Sequence, residues 1–223
     1  MRLFITGTDT GVGKTLITRA LAAAARASGG VVAAKPVASG VPPGEPGEDA
    51  VRIAAAAGHP PLCLASFAAP VSPHRAALLE ARTLPGDLLD RIAALRADTV
   101  LVEGVGGWAV PLSLEPPLWV ADLARATGGA VVVVADDRLG VINHTLLTVA
   151  AIQQAELPIA AVILNRRNRA DPDASRASNL EDLSLLLDIP VVSMPTVDPD
   201  HDAEVTQLGG MLLRTIRAAL PPR

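Results

Sequence analysis

Short apolar runs alternate with longer amphipathic stretches along this chain. The runs fall at residues 3–6, 31–34, 99–102, 130–134, 160–164 and 191–193 and are built almost wholly from Val, Leu, Ile and Ala. Strands that carry apolar side chains on both faces are buried on both faces, so the pattern predicts a parallel sheet covered by helices on each side. Helices are expected at residues 14–28, 49–57, 85–96, 119–127, 142–155, 179–187 and 203–220. Gly29-Gly30, Gly128-Gly129 and Pro158 stand where such helices should stop. The alternation predicts an α/β fold, doubly wound and mostly parallel, with right-handed connections. One domain spanning residues 1–223 is expected. Residues 38–98, rich in Pro and Gly, read as an insertion of loops plus two helices over the active edge. Residues 166–178 read as a polar loop.

Composition narrows the picture. Half of the 223 residues are hydrophobic but only 2% are aromatic, so the core must be built from small branched side chains. A net charge of -4 argues against a nucleic-acid partner, which calls for a basic stripe. Cys63 is the only cysteine, which excludes an internal disulfide and a structural zinc cluster and suits a reducing compartment. No apolar stretch approaches the roughly 20 residues of a spanning helix, and the N-terminus enters a strand with no signal-peptide layout. A soluble, cytoplasmic protein with no membrane partner is the expectation.

The strongest chemical signal follows the first strand. Gly7-Thr8-Asp9-Thr10-Gly11-Val12-Gly13-Lys14-Thr15 delivers a glycine-rich turn into a helix. The N–H groups of such a turn cradle a polyphosphate, and the helix adds its positive end. Lys14 is expected at the β- and γ-phosphates and the Thr15 hydroxyl at magnesium. Gly7 lies six residues before Gly13, one more than the usual P-loop spacing. An incidental Gly-Lys-Thr would not account for the strand before it and the helix after it.

A P-loop names a nucleotide but no reaction. Lys35, in Lys35-Pro36-Val37-Ala38-Ser39-Gly40, follows the second strand and should emerge beside the P-loop. There it could neutralise charge on a transferring phosphoryl group, with Ser39 bonding a substrate, or it could simply lie in solvent. Asp49 reads either as a helix N-terminal acid or as a magnesium ligand. Thr99-Val100-Leu101-Val102-Glu103 has the layout of a Walker-B strand, and Gly104 and Gly106 would let its loop approach the γ-phosphate. Asp136-Asp137 also ends a strand, but Glu103 is preferred for its glycine-rich continuation.

Taken together, the P-loop, Lys35 to Gly40, Ser72-Pro73-His74, Val102-Glu103-Gly104-Val105-Gly106-Gly107-Trp108 and Leu139-Gly140-Val141-Ile142-Asn143-His144 resemble the dethiobiotin synthetase family, in the family's order. The likeness runs to about Asn165 and weakens after it. The unusual P-loop spacing belongs to the family pattern. The resemblance implies MgATP-dependent closure of the ureido ring from carbon dioxide and 7,8-diaminononanoate, through a carbamate and a carbamic–phosphoric anhydride, with ADP and phosphate released. It implies Lys35, Lys14 and Thr10 as catalytic residues and Thr15, Asp49 and Glu103 as magnesium ligands. Gly11, Val12, Gly13 and Leu16 join the nucleotide set. Asn165 would meet the adenine edge, Arg166 would join the nucleotide set, and Pro195, Thr196 and Val197 would line the base. Thr10 and Ser39 would lie near the amines and carbamate. The family is a homodimer, and Gly140, Val141 and Asn143 would hold the substrate's tail carboxylate across the interface. Asn143 could also cap the helix that starts there.

Some positions depart from the family or stand outside its pattern. Gly11 stands where some relatives carry Glu, and Val71 replaces an expected hydroxyl residue. His74 reads as structural, Trp108 as a lid or packing residue, and Asp198, Asp200, Asp202 and Glu204 as a solvated turn and helix start. Two rivals share the P-loop core. A cobyrinate-type amidotransferase synthetase would need a glutamine-hydrolysing domain for which there is no room. A partition or septum-site nucleotide switch would carry a further lysine early in the P-loop, where this chain has Thr8-Asp9-Thr10, and a basic surface or amphipathic tail. The C-terminal helix, with Arg214 and Arg217, has the pattern of a packed surface helix instead.

Overall fold

The computed structural model describes residues 1–166 and 173–220. In chain order the elements are β1 (Arg2–Gly7), α1 (Lys14–Arg26), β2 (Val31–Ala34), β3 (Val37–Ser39), α2 (Gly47–Ala57), β4 (Ala65–Phe67), α3 (Pro73–Leu79), α4 (Leu88–Ala93) and β5 (Thr99–Glu103). They continue with β6 (Pro111–Leu114), β7 (Pro117–Trp119), α5 (Val120–Thr127), β8 (Ala130–Asp136), α6 (Val141–Gln154), β9 (Ile159–Asn165), a 3₁₀ turn (Ala174–Ala177), α7 (Asn179–Leu186), β10 (Val191–Ser193) and α8 (Asp202–Ala219).

Six strands form the central sheet in the order β10-β9-β8-β1-β5-β2, and every pairing in it is parallel. The predicted doubly wound architecture is what the chain adopts. Successive side chains of a strand point to opposite faces, and the core divides accordingly. Leu3, Ile5, Val132, Val134 and Ile163 join α1 and α8 on one face. Phe4, Val131, Val133, Val162 and Leu164 join α5 and α6 on the other. Small residues let the layers close up. A Cβ on Gly209 of α8 would stand 1.8 Å from the Ala20 carbonyl oxygen of α1, so only glycine permits this helix crossing.

Strand order reverses at β1, which is flanked by β5 and β8. Such a switch point opens a crevice at the carboxyl ends of parallel strands. Register places Ile5 beside Glu103, Gly7 beside Val134 and Ala34 beside Val102, so the loops after β1, β2 and β5 share one edge.

The insertion is richer than expected. Residues 38–98 hold three helices, α2, α3 and α4, rather than two, and β4 pairs with β3 in a small parallel sheet. The helix expected at 85–96 shrinks to Leu88–Ala93. Helix α3 starts with Pro at its first position, a favoured place for it, but seven residues with exposed Leu78 and Leu79 give little periodicity to read. The apolar pattern does not predict the β6–β7 hairpin either, because Pro111, Pro116 and Pro117 argue against strand. Of the segment expected as a polar loop, residues 167–172 lie outside the described residues and 174–177 form the 3₁₀ turn.

Candidate functional site

A cleft of about 510 Å³ opens at the switch point. The P-loop forms one wall with Thr10, Gly11, Gly13, Lys14 and Thr15. Lys35, Ser39, Asp49, Glu103 and Gly106 form much of the rest. Residues far apart in sequence thus converge, because β1, β2 and β5 end on one edge and α2 folds Asp49 back over them.

The charges interlock. Lys35 Nζ donates to Glu103 Oε1 at 2.8 Å and forms a very short contact with Asp49 Oδ2. Burial alone would lower the Lys35 ammonium, but the Glu103 and Asp49 carboxylates outweigh it and hold the group above its ordinary value. Burial would likewise raise the Asp49 carboxyl, yet Lys35, Thr15 and Lys14 together hold it below its usual range. The solvent-lysine alternative for Lys35 therefore falls, since the residue is 8% exposed and doubly paired. Lys14 differs. It is 6% exposed and donates to the Asp9 carbonyl oxygen at 3.0 Å. Burial, only partly offset by Glu103, pushes its ammonium down to about 8.

Thr15 Oγ1 donates to Glu103 Oε1 at 3.0 Å, while Glu103 Oε2 is buried with no hydrogen-bond partner. A buried carboxylate oxygen left without a donor is costly, and a hard divalent cation is a natural partner for it. Thr15, Asp49 and Glu103 therefore fit magnesium. Among the described residues no cluster of three or more His, Cys, Asp or Glu side chains is arranged to hold a metal, so a cation here would complete its shell with phosphate oxygens and water. The Ser39 hydroxyl is also buried without a partner and lines the cleft, ready for a polar substrate.

A second cleft, of about 570 Å³, lies on the far side of Gly13. Leu16, Asn165, Arg166, Thr196 and Val197 line it. Pro195 is not part of the lining. Met194, Asp198 and Pro199 complete the cavity; Met194 and Pro199 carry no chemical signal in the sequence, and Asp198 reads there only as part of a solvated turn. Asn165 also serves the P-loop. Its Nδ2 donates to the Val12 carbonyl at 2.8 Å and pins the loop to β9. Gly13 makes room for this, since it has φ +102° and a Cβ there would stand 2.1 Å from Asn165 Nδ2.

The remaining expected residues sit apart. Gly104 is packed against Phe4 rather than lining the cleft. Gly140 caps α6 with a left-handed backbone and Val141 opens the helix. Asn143 is therefore the third residue of α6 and not its cap, and its side chain is exposed. Val141 also lines a hollow of about 150 Å³ with Thr8, Asp9 and Thr10. Within one chain Gly140 and Asn143 line neither larger cleft. Trp108 is 7% exposed and belongs to the core, which settles it as a packing residue.

Strand, glycine loop, helix, buried Walker-type acid and paired lysine define a P-loop nucleotide-binding protein, and residues 1–203 match the family model described as an AAA domain. The chain belongs, more narrowly, to the family of ATP-dependent dethiobiotin synthetases, which are ligases. It is 51% identical over 177 residues to the synthetase of Anaeromyxobacter sp. strain Fw109-5, covering 76% of this chain and 78% of that one. It is 41% identical to that of Anaeromyxobacter dehalogenans strain 2CP-C, covering 96% and 98%. Solved structures show the same fold at low identity. The Pyrococcus furiosus cell division ATPase MinD aligns with TM-score 0.55 and 16% identity over 98% of this chain and 97% of its own. A plasmid partition protein of Borrelia burgdorferi aligns with TM-score 0.56 and 12% identity over 98% of both chains.

Proposed function

We propose that this chain, acting as a single P-loop domain in the cytoplasm, uses MgATP to join carbon dioxide to 7,8-diaminononanoate and close the ureido ring of dethiobiotin. The observation that carries the reading is the pairing of buried Lys35 with both Glu103 and Asp49 beside the P-loop. A carbamate and a γ-phosphate are both anionic, and bringing them together needs positive charge fixed in advance in a water-poor site. Lys14 and Lys35 supply it from this chain. Thr15, Asp49 and Glu103 would hold magnesium, which when bound adds charge neutralisation on the phosphates.

In this reading one substrate amine first forms the carbamate against Thr10 and Ser39. The carbamate oxygen attacks the γ-phosphate, the P–O bond to ADP breaks, and Lys14 and Lys35 offset the charge on the transferring group. The second amine then attacks the mixed anhydride, the ring closes and phosphate leaves. Asn165, Arg166, Thr196 and Val197 would hold the base. The chain would act as a homodimer, with Gly140, Val141 and Asn143 of one protomer holding the substrate tail seated in its neighbour. An exposed Asn143 outside both clefts of its own chain is what such an arrangement requires.

The testing experiment supplies diaminononanoate, labelled bicarbonate and MgATP and follows phosphate and acid-stable label together. Equal amounts of both are expected, each dependent on the diamine. Phosphate release indifferent to the diamine would sink the reading and leave a bare nucleotide hydrolase.

A further inference from the structure

Asp137, the acid that follows β8 and takes no part in the phosphate cleft, is 3% exposed. Every polar group it owns is engaged. Its N–H donates to the Asn165 carbonyl at 2.9 Å, and its own carbonyl accepts from Arg176 Nε at 2.7 Å. Oδ1 accepts from Asn179 Nδ2 at 2.8 Å, and Oδ2 stands 3.7 Å from an Arg166 guanidinium nitrogen. Asn179 is itself 2% exposed. Two residues on, the Leu139 N–H donates to Asp173 Oδ2 at 2.7 Å, and Asp173 Oδ1 accepts from the Ser175 N–H and hydroxyl.

The network joins two functional places. Asn165 and Arg166 line the second cleft. Residues 137–140 lead directly into Gly140 and Val141 at the head of α6. The bond between Asp137 and Asn179 fixes both, because leaving either buried group unpaired is costly, and the exposed Arg166 guanidinium is drawn to the same carboxylate by charge at 3.7 Å. We infer that Asp137 is a positioning residue that couples occupancy of the base cleft, through Arg166, to the order of the loop opening α6. A nucleotide that holds Arg166 in place would thereby firm the loop. Its consequence for catalysis rests on the reading above, in which the head of α6 serves the neighbouring protomer's substrate.

The test uses the full chain and needs no diamine, so its failure is separate from failure of the proposed reaction. Amide hydrogen exchange across residues 137–147 is compared with and without saturating MgADP in the wild type, Asp137→Asn and Arg166→Gln. Nucleotide should slow exchange there on the order of fivefold in the wild type, and this slowing should largely vanish in both variants. A merely structural role for Asp137 would raise baseline exchange and leave the nucleotide-dependent slowing intact. Slowing equal to wild type in either variant, or none in the wild type, overturns the inference. If Asp137→Asn fails to fold, Asp137→Glu takes its place, since it keeps a carboxylate but shifts it relative to Arg166 and Asn179, and the nucleotide-dependent slowing should again be lost while slowing equal to wild type overturns the inference.

Discussion

The two clefts on either side of Gly13 are of similar size but are built on different principles. The phosphate cleft is held by polar groups that satisfy one another: buried Lys35 with buried Glu103 and half-exposed Asp49, and Thr15 with Glu103. The base cleft has few such anchors. Its lining comes from the segment after β10, where Thr196, Asp198 and Pro199 are exposed, and its one buried polar side chain, Asn165, is spent on the P-loop carbonyl. On the proposed reading the first region would fix reacting atoms with charge, while the second would offer mainly shape. Substitutions in the first should therefore act on turnover, and substitutions in the second on affinity.

The sharpest break of that contrast is Lys35→Ala. It removes a preorganised positive charge and leaves Asp49 and Glu103 facing each other across the cleft. Turnover should fall by about 10² to 10³ while nucleotide binding changes far less. A kcat loss of under about tenfold would mean that Lys35 serves only to neutralise the two carboxylates.

Lys14 gives the next effect and carries a pH signature. Its ammonium is held near 8 by burial, against 10.5 ordinarily. Between those values the unfolded chain keeps a proton that the folded one has released, so the nucleotide-free protein should gain stability as pH rises through that window. Polyphosphate favours the charged form, so nucleotide binding at about pH 8.5 should take up about three-quarters of a proton. Calorimetry in two buffers of different ionisation enthalpy measures this. Lys14→Met should abolish the uptake and weaken binding by roughly a hundredfold; a buffer-independent heat in the wild type would contradict the assignment.

Legibility in the sequence follows the same division. The P-loop and Glu103 are readable from the chain alone because charge at strand ends is rare in an otherwise apolar pattern; Lys35 and Asp49 stay open on residue pattern, are picked out by the family resemblance, and are brought into contact by the fold. The sheet is equally legible, since its strands are largely buried on both faces and keep continuous apolar runs. What escapes are elements without a burial signal: the short helix α3, the proline-bearing β6–β7 hairpin and the far wall of the base cleft. Asp137 is visible as an acid after a strand, but its partners Arg166, Asn179 and Arg176 come from elements whose packing no local pattern discloses. Asn143 has the residue type of a cap, yet the left-handed Gly140 takes that place three residues earlier.

Asn165→Ala tests whether the two clefts are independent. It deletes the bond to the Val12 carbonyl, a neutral hydrogen bond worth about 1 kcal/mol net, and a base contact if the proposed role holds. Nucleotide affinity should fall by about tenfold at most, with kcat reduced less. A large kcat loss would show that the P-loop needs β9 to keep its shape, so that the base side governs the chemistry as well.

The smallest effect belongs to Val197→Ala. Val197 is half-buried at the lip of the base cleft and packs against the core cluster beneath α8. Removing two partly buried methyl groups costs about 0.8 kcal/mol, so the KM for ATP should rise by no more than about fourfold. The change also leaves every charged contact of the phosphate cleft in place, so kcat at saturating ATP should move less than KM does. Steady-state kinetics at fixed diamine and bicarbonate separates the two constants. If kcat fell while KM held, the wall that contributes only shape would be shaping the transition state, and the division between a cleft of paired charges for chemistry and one of shape for affinity would not describe this enzyme.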